Sequence, residues 1–139
     1  MRKDDHMKTS QIMAAAVLII GSGLALHAAN AQRAGIQRTD LLQHDLATAG
    51  REAVQVRVDF EQEAASIKHS HPGEEIAYVL EGSLEYQLEG RAPVILHAGE
   101  ALFIPAGVAH VAKNVGNGKA SELATYVVEK GTPLVVPVK

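Results

Sequence analysis

Residues 69–75 read HSHPGEE: two imidazoles one residue apart, a turn dipeptide, then two carboxylates. Side chains two apart on an extended strand share a face, so His69 and His71 can form a two-nitrogen clamp on a metal ion. Pro72-Gly73 then turns the chain. In the apolar run that follows, Glu75 shares a face with Ala77 and Val79, whereas Glu74 shares the other with Ile76, Tyr78 and Leu80. Small apolar neighbours suit an interior, so Glu75 is expected inward and Glu74 solvated. A further nitrogen is available from His110, which follows the stretch GEALFIPAGVA at residues 99–109. The Pro105-x-Gly107 turn can bring it back over the same interior. Three imidazoles and one carboxylate leave one or two positions on a metal open, as catalysis there requires. Each residue alone has an ordinary explanation as a solvated side chain. Only the four together point to a metal.

Such a site needs strands to position it. Residues 53–60 alternate, with Val54, Val56, Val58 and Phe60 on one face and Gln55, Arg57 and Asp59 on the other, the period of a half-buried strand. Further short runs occur at 65–69, 76–80, 84–88, 94–96, 101–104, 110–114 and 123–128. Gly- and Pro-bearing turns separate them, including Glu81-Gly82-Ser83, Glu89-Gly90 and Gly116-Asn117-Gly118. Only residues 41–49 carry a helix-like pattern. Many short strands with regular turn punctuation predict an all-β sandwich or barrel in one domain. Ala77, Val79 and Phe103 are expected to line its lumen, with Tyr86 and the run GEALFIP in the core. Tyr78 is expected at a packing or interface surface, and His44 and His97 in solvent. No further acid, base or nucleophile stands out near the site.

With these residues in place, the chain resembles the cupin superfamily, of the small single-domain type. The first motif of that family, G-x5-H-x-H-x3,4-E-x6-G, is carried by His69, His71, Glu75 and Gly82. The second, G-x5-P-x-G-x2-H-x3-N, is carried by Gly99, Pro105, Gly107, His110 and Asn114. Glu63 stands where the first motif begins with glycine, a position that governs a turn and not ligation. The resemblance implies a jelly-roll β-barrel in which His69, His71, Glu75 and His110 ligate one divalent transition metal (Fe, Mn, Ni, Cu or Zn). It also implies that Asn114 is structural and that the protein forms a homodimer. The activity it favours is a dioxygenase-like oxidation of a small organic substrate, with Glu75 able to leave the metal and accept a proton. A non-catalytic small-ligand binding or sensor protein, or a non-redox isomerase or lyase, are the alternatives.

The N-terminus differs in kind. Lys8 precedes an apolar run from Ile12 to Leu26, and Ala29-Asn30-Ala31 follows as a small-x-small pattern. These are the marks of a cleaved signal peptide at 1–31, with translation starting at Met1 or Met7. The run is shorter than the roughly 20 residues that span a bilayer, so no stable membrane insertion is expected after cleavage. Residues 32–50 are then an N-terminal arm and 51–139 the barrel domain, in the periplasm or secreted. Removing three Lys/Arg and two Asp/Glu from totals of 13 and 16 leaves 10 and 14. Without a basic excess, nucleic acid is not an expected partner. The chain has no cysteine, so its stability in an oxidising compartment must come from the core and bound metal, without disulfides.

Overall fold

The computed structural model describes residues 34–139; the signal peptide expected at 1–31, with cleavage after Ala31, lies outside the described residues. Alternating sequence becomes strand: β1 (Ile36–Asp45), β2 (Arg51–Phe60), β3 (His69–Ser70), β4 (Glu74–Glu81), β5 (Ser83–Leu88), β6 (Val94–His97), β7 (Ala101–Ile104), β8 (His110–Asn114), β9 (Ala120–Glu129) and β10 (Val136–Pro137). Among the described residues there is no helix. Two five-stranded sheets form, ordered β1-β2-β9-β4-β7 and β10-β3-β8-β5-β6. All strand pairs are antiparallel, and the result is the expected all-β jelly roll.

Period-two alternation decides which side chains meet between the sheets. Val54, Val56, Val58 and Phe60 of β2 turn inward with Ala77 and Val79 of β4 and Ala124, Tyr126 and Val128 of β9. Leu84, Tyr86 and Leu88 of β5 face them from the second sheet. Each large apolar side chain removed from water contributes roughly 1.5–3 kcal/mol before ordering costs.

Three expectations change. The helix-like stretch 41–49 is mostly strand. Its first part belongs to β1, which pairs with β2 from Ile36↔Phe60 to Asp45↔Glu52 around an irregularity between Asp40 and Leu42. Pairing along a whole strand edge outweighs a weak local preference. The run GEALFIP is not uniformly buried. In β7, an edge strand, only Ile104 is fully buried. Phe103 pairs with Ile76 on the outer face and is 55% exposed, so it lines neither lumen nor core. A short apolar run does not disclose which of its two faces the core will take. Finally, residues 65–69 supply an isolated bridge, Ala65↔Lys113, and the two-residue β3 in place of a full strand.

Candidate metal centre

Strand pairing brings the four predicted ligands together. His69 of β3 lies directly opposite His110 at the start of β8. His71 follows β3, and the Pro72-Gly73 turn leads into β4, where Glu75 lies between Tyr126 of β9 and Ile104 of β7. The amide of Gly107 donates to the carbonyl of His71 at 2.9 Å, tying the two motif turns to each other. The ring centroids lie 4.8 Å (His69–His71), 4.4 Å (His69–His110) and 5.1 Å (His71–His110) apart. One nitrogen from each ring falls within 4.8 Å of the others. Glu75 Oε2 is 2.9 Å from His71 Nε2 and 3.3 Å from His110 Nε2. None of the four is more than 8% exposed.

Backbone carbonyls decide which nitrogen faces the site. His69 Nδ1 lies 2.8 Å from the Ile67 carbonyl, His71 Nδ1 2.6 Å from that of Leu134, and His110 Nδ1 3.0 Å from that of Val108. A carbonyl only accepts, so each Nδ1 carries the proton and each Nε2 turns a lone pair inward. His71 Nε2 and Glu75 Oε2 are buried without a hydrogen-bond partner. Two facing acceptors at 2.9 Å with no proton between them are unfavourable alone, and a cation between them removes the conflict. The donor set therefore fits one divalent transition metal held by His69, His71, His110 and Glu75.

The electrostatics favour that set. Burial raises the Glu75 carboxyl, but the His110 and His71 contacts outweigh it and hold the group down to about 2. Burial, helped by the neighbouring His110, lowers His69 to about 4, so its imidazole is neutral at ordinary pH. Burial also pushes His110 down, yet the nearby Glu75 carboxylate, 3.3 Å from its Nε2, raises it overall. A proton on His110 and a metal ion thus compete for one place.

Beyond the ligands is a cavity of about 40 Å³. His69, Glu75 and His110 share its wall with Arg38 of β1, Tyr86 of β5, and Glu122 and Tyr126 of β9. These polar groups correct the expectation that no further acid or base stands near the site. The Tyr86 hydroxyl donates to Glu122 Oε2 in a close contact. Burial first, then the charge of Glu75, raises the Glu122 carboxyl to about 7. Burial raises both the Tyr86 and Tyr126 hydroxyls, which stay protonated. Burial would lower Arg38, but Tyr126 and the acidic groups outweigh it. Glu122 was discoverable, because it lies in phase with Ala124, Tyr126 and Val128 on the inward face of β9. Arg38 was hidden by the absence of a recognisable strand pattern around it.

The remaining motif residues are structural. Asn114 Nδ2 donates to the carbonyls of Phe60, Glu61 and Gly118 at 3.3, 3.1 and 2.7 Å, and its Oδ1 accepts from Gly116 N at 3.0 Å. Gly82 has φ 74°, and a Cβ there would come within 2.6 Å of the Lys119 carbonyl oxygen. Glu63, in the slot where the motif has glycine, has φ 63° and is the one non-glycine residue with positive φ among those described. The turn keeps its shape and Glu63 carries the strain. His44 and His97 are exposed as expected, and Tyr78 is on the outer face.

Residues 56–128 match the model of the cupin domain. An oxalate oxidase solved with the substrate analogue glycolate is 28% identical, with a TM-score of 0.62 over 79% of this chain and 59% of that one. A predicted oxalate decarboxylase from Thermotoga maritima is 26% identical, with a TM-score of 0.58 over 67% and 80% of the two chains. A DMSP lyase from Ruegeria pomeroyi, 23% identical over 73% of this chain and 51% of that one with a TM-score of 0.62, shares the fold. This chain thus spans only part of the oxidase and the lyase. No curated protein matches it significantly. Its two motifs converge on one buried site and the domain model matches more than half of its 139 residues, so the chain belongs to the cupin family.

Proposed function

We propose that the protein is a metal-dependent oxidoreductase, dioxygenase-like in its chemistry, acting on a small organic acid. The observation that carries this reading is the convergence of three buried Nε2 lone pairs and the Glu75 carboxylate, with His69, His110 and Glu75 at the wall of a small cavity that also carries Arg38, Tyr86 and Glu122. A bound Fe, Mn, Ni or Cu ion supplies redox chemistry and an electrophilic centre there. The protein does the rest. Carbonyls of Ile67, Leu134 and Val108 hold the imidazoles in the ligating tautomer. Glu75, ionised at neutral pH, is placed to accept a proton from a substrate hydroxyl. Glu122 and Tyr86 form a second proton-holding pair across the cavity, with Glu122 poised near neutrality. A cavity of 40 Å³ admits roughly three water molecules or an acid of a few heavy atoms. The likeness to an oxalate oxidase and a predicted oxalate decarboxylase, each above 25% identity, supports that substrate size and class.

On the signal-peptide reading of residues 1–31, the enzyme works in the periplasm or outside the cell. We also propose a homodimer, supported by the apolar outer face on which Ile76, Tyr78, Leu80 and Phe103 are all at least 40% exposed.

The test is elemental analysis of the protein beside His69→Ala and His110→Ala variants. Stoichiometric Fe, Mn, Ni or Cu that the variants lose supports the oxidoreductase and directs an O2-uptake screen of small carboxylic acids. Stoichiometric Zn would transfer the reading to a non-redox lyase or isomerase, or to ligand binding. No metal in the wild type would refute it.

A further inference from the structure

We infer that Arg38 is the specificity-determining residue of this site, anchoring a carboxylate of the substrate against the side of the cavity contributed by β1. The inference rests on the metal-centre reading and extends it to what the substrate must carry.

Arg38 reaches the cavity by strand register. It lies opposite Val58, whose side chain is in the core, and two residues from Ile36, which also lines the cavity. It is the one cationic side chain on that wall apart from the imidazoles. Among the described residues, no carboxylate lies within 4.0 Å of its guanidinium, whereas Arg51 and Arg57 each contact one, at 3.2 and 2.8 Å. Its neighbours are the Tyr126 hydroxyl and, at longer range, Glu122 and Glu75. None of these serves as its counter-ion at contact: Tyr126 is a neutral phenol, Glu122 accepts from Tyr86, and Glu75 faces the imidazoles. A half-buried guanidinium without a contacting anion, inside a cavity of a few atoms' width, is a receptor for one. Its planar fork matches the two oxygens of a carboxylate and is poorly matched by a neutral amide or hydroxyl.

The placement has a consequence for specificity. Arg38 lies outside residues 56–128, the part of the chain that matches the cupin domain, whereas all four metal ligands lie inside it. The ligands belong to the shared barrel, and β1 adds the cation that selects the substrate. Such a substrate offers an oxygen to the metal side and a carboxylate to Arg38.

Glycolate and its amide, glycolamide, provide matched probes that differ by one negative charge at nearly constant shape, and glycolamide has no carboxylate to offer Arg38. Their affinities for Co2+-loaded protein are measured by titration calorimetry and by the visible absorption of the bound cobalt, in wild type, Arg38→Gln and Arg38→Lys. A charge-assisted hydrogen bond of this kind is worth roughly 10- to 100-fold in affinity. The wild-type preference for glycolate over glycolamide is expected to fall by that factor in Arg38→Gln and by less in Arg38→Lys, with cobalt stoichiometry unchanged in both. A purely structural role for Arg38 would weaken both probes equally and leave their ratio intact. An unchanged ratio in either folded, cobalt-bearing variant overturns the anchor and leaves the metal centre standing. Failure of the wild type to take up Co2+ overturns the metal centre and the anchor with it.

Discussion

Gly73→Ala should cost the protein its metal without touching a ligand. Gly73 lies in the turn between His71 and Glu75, where the backbone of β9 passes close by. A Cβ on Gly73 would overlap the Val127 carbonyl oxygen, and would lie 2.9 Å from its carbon and 3.0 Å from Val128 Cα. Carbon atoms in contact sit about 3.5–4.0 Å apart, so one backbone must move by about 1 Å. β9 cannot easily be that one. It is the central strand of its sheet, paired with β2 from Arg51↔Glu129 to Phe60↔Ala120 and with β4 along its other edge. The turn carrying His71 and Glu75 moves instead, beyond the ~0.5 Å tolerance of a ligand constellation. The expected result is a metal affinity roughly 10- to 100-fold weaker. Overpacking should also cost about 1–3 kcal/mol, lowering the metal-free Tm by roughly 5–20 °C. Gly118→Ala is the control, because nothing lies within 4 Å of a Cβ there. It should change stability by no more than about 0.5 kcal/mol. Metal content by mass spectrometry and thermal unfolding of the chelated protein read both effects. Stoichiometric metal and a wild-type Tm in Gly73→Ala would refute the reasoning, since the β9 backbone would then be yielding at no cost.

Four shorter expectations follow from the same geometry. Asn114→Ala removes the bonds it makes to the Phe60, Glu61 and Gly118 carbonyls and from the Gly116 amide, and should destabilise by about 3 kcal/mol in denaturant unfolding, far more than an exposed Asn. Glu63→Gly relieves a positive φ and should raise stability by about 1 kcal/mol; a loss would show that the Glu63 side chain contributes more than its backbone costs. In metal-free protein, burial lowers His69 to about 4 against an ordinary 6.5, so the unfolded chain binds the extra proton between these values. Its contribution, up to about 3 kcal/mol, is present above pH 6.5 and lost as pH falls towards 4. Glu122, raised to about 7, acts in the opposite sense and favours the fold below that pH. His69→Gln should therefore flatten the acid limb of a stability–pH curve, and an unaltered limb would remove His69 from the account. Phe103→Asp should abolish self-association in sedimentation if the outer face of β4 and β7 joins two copies, and leave metal content unchanged.

The sequence by itself was enough to locate most strands after β1, the turns between them and the four residues that converge on the proposed metal centre. Alternation over Val54–Phe60 and the Pro72-Gly73 and Pro105-x-Gly107 turns act between chain neighbours, so their consequences can be read locally. The spacing of His69, His71, Glu75 and His110 is legible for the same reason, because turns of set length place them. What faces the metal across the cavity was decided by long-range pairing. Arg38 depends on the register of β1 against β2, and Glu122 and Tyr86 meet only when β9 and β5 of different sheets are packed together. Phe103 points outward because the register of β7 against β4 sets it opposite Ile76 on the outer face while Ile104 turns inward, a fact of pairing and not of hydrophobicity. Period and turn chemistry determine which residues share a face, whereas which face becomes the interior, and what it meets there, is a property of the closed barrel.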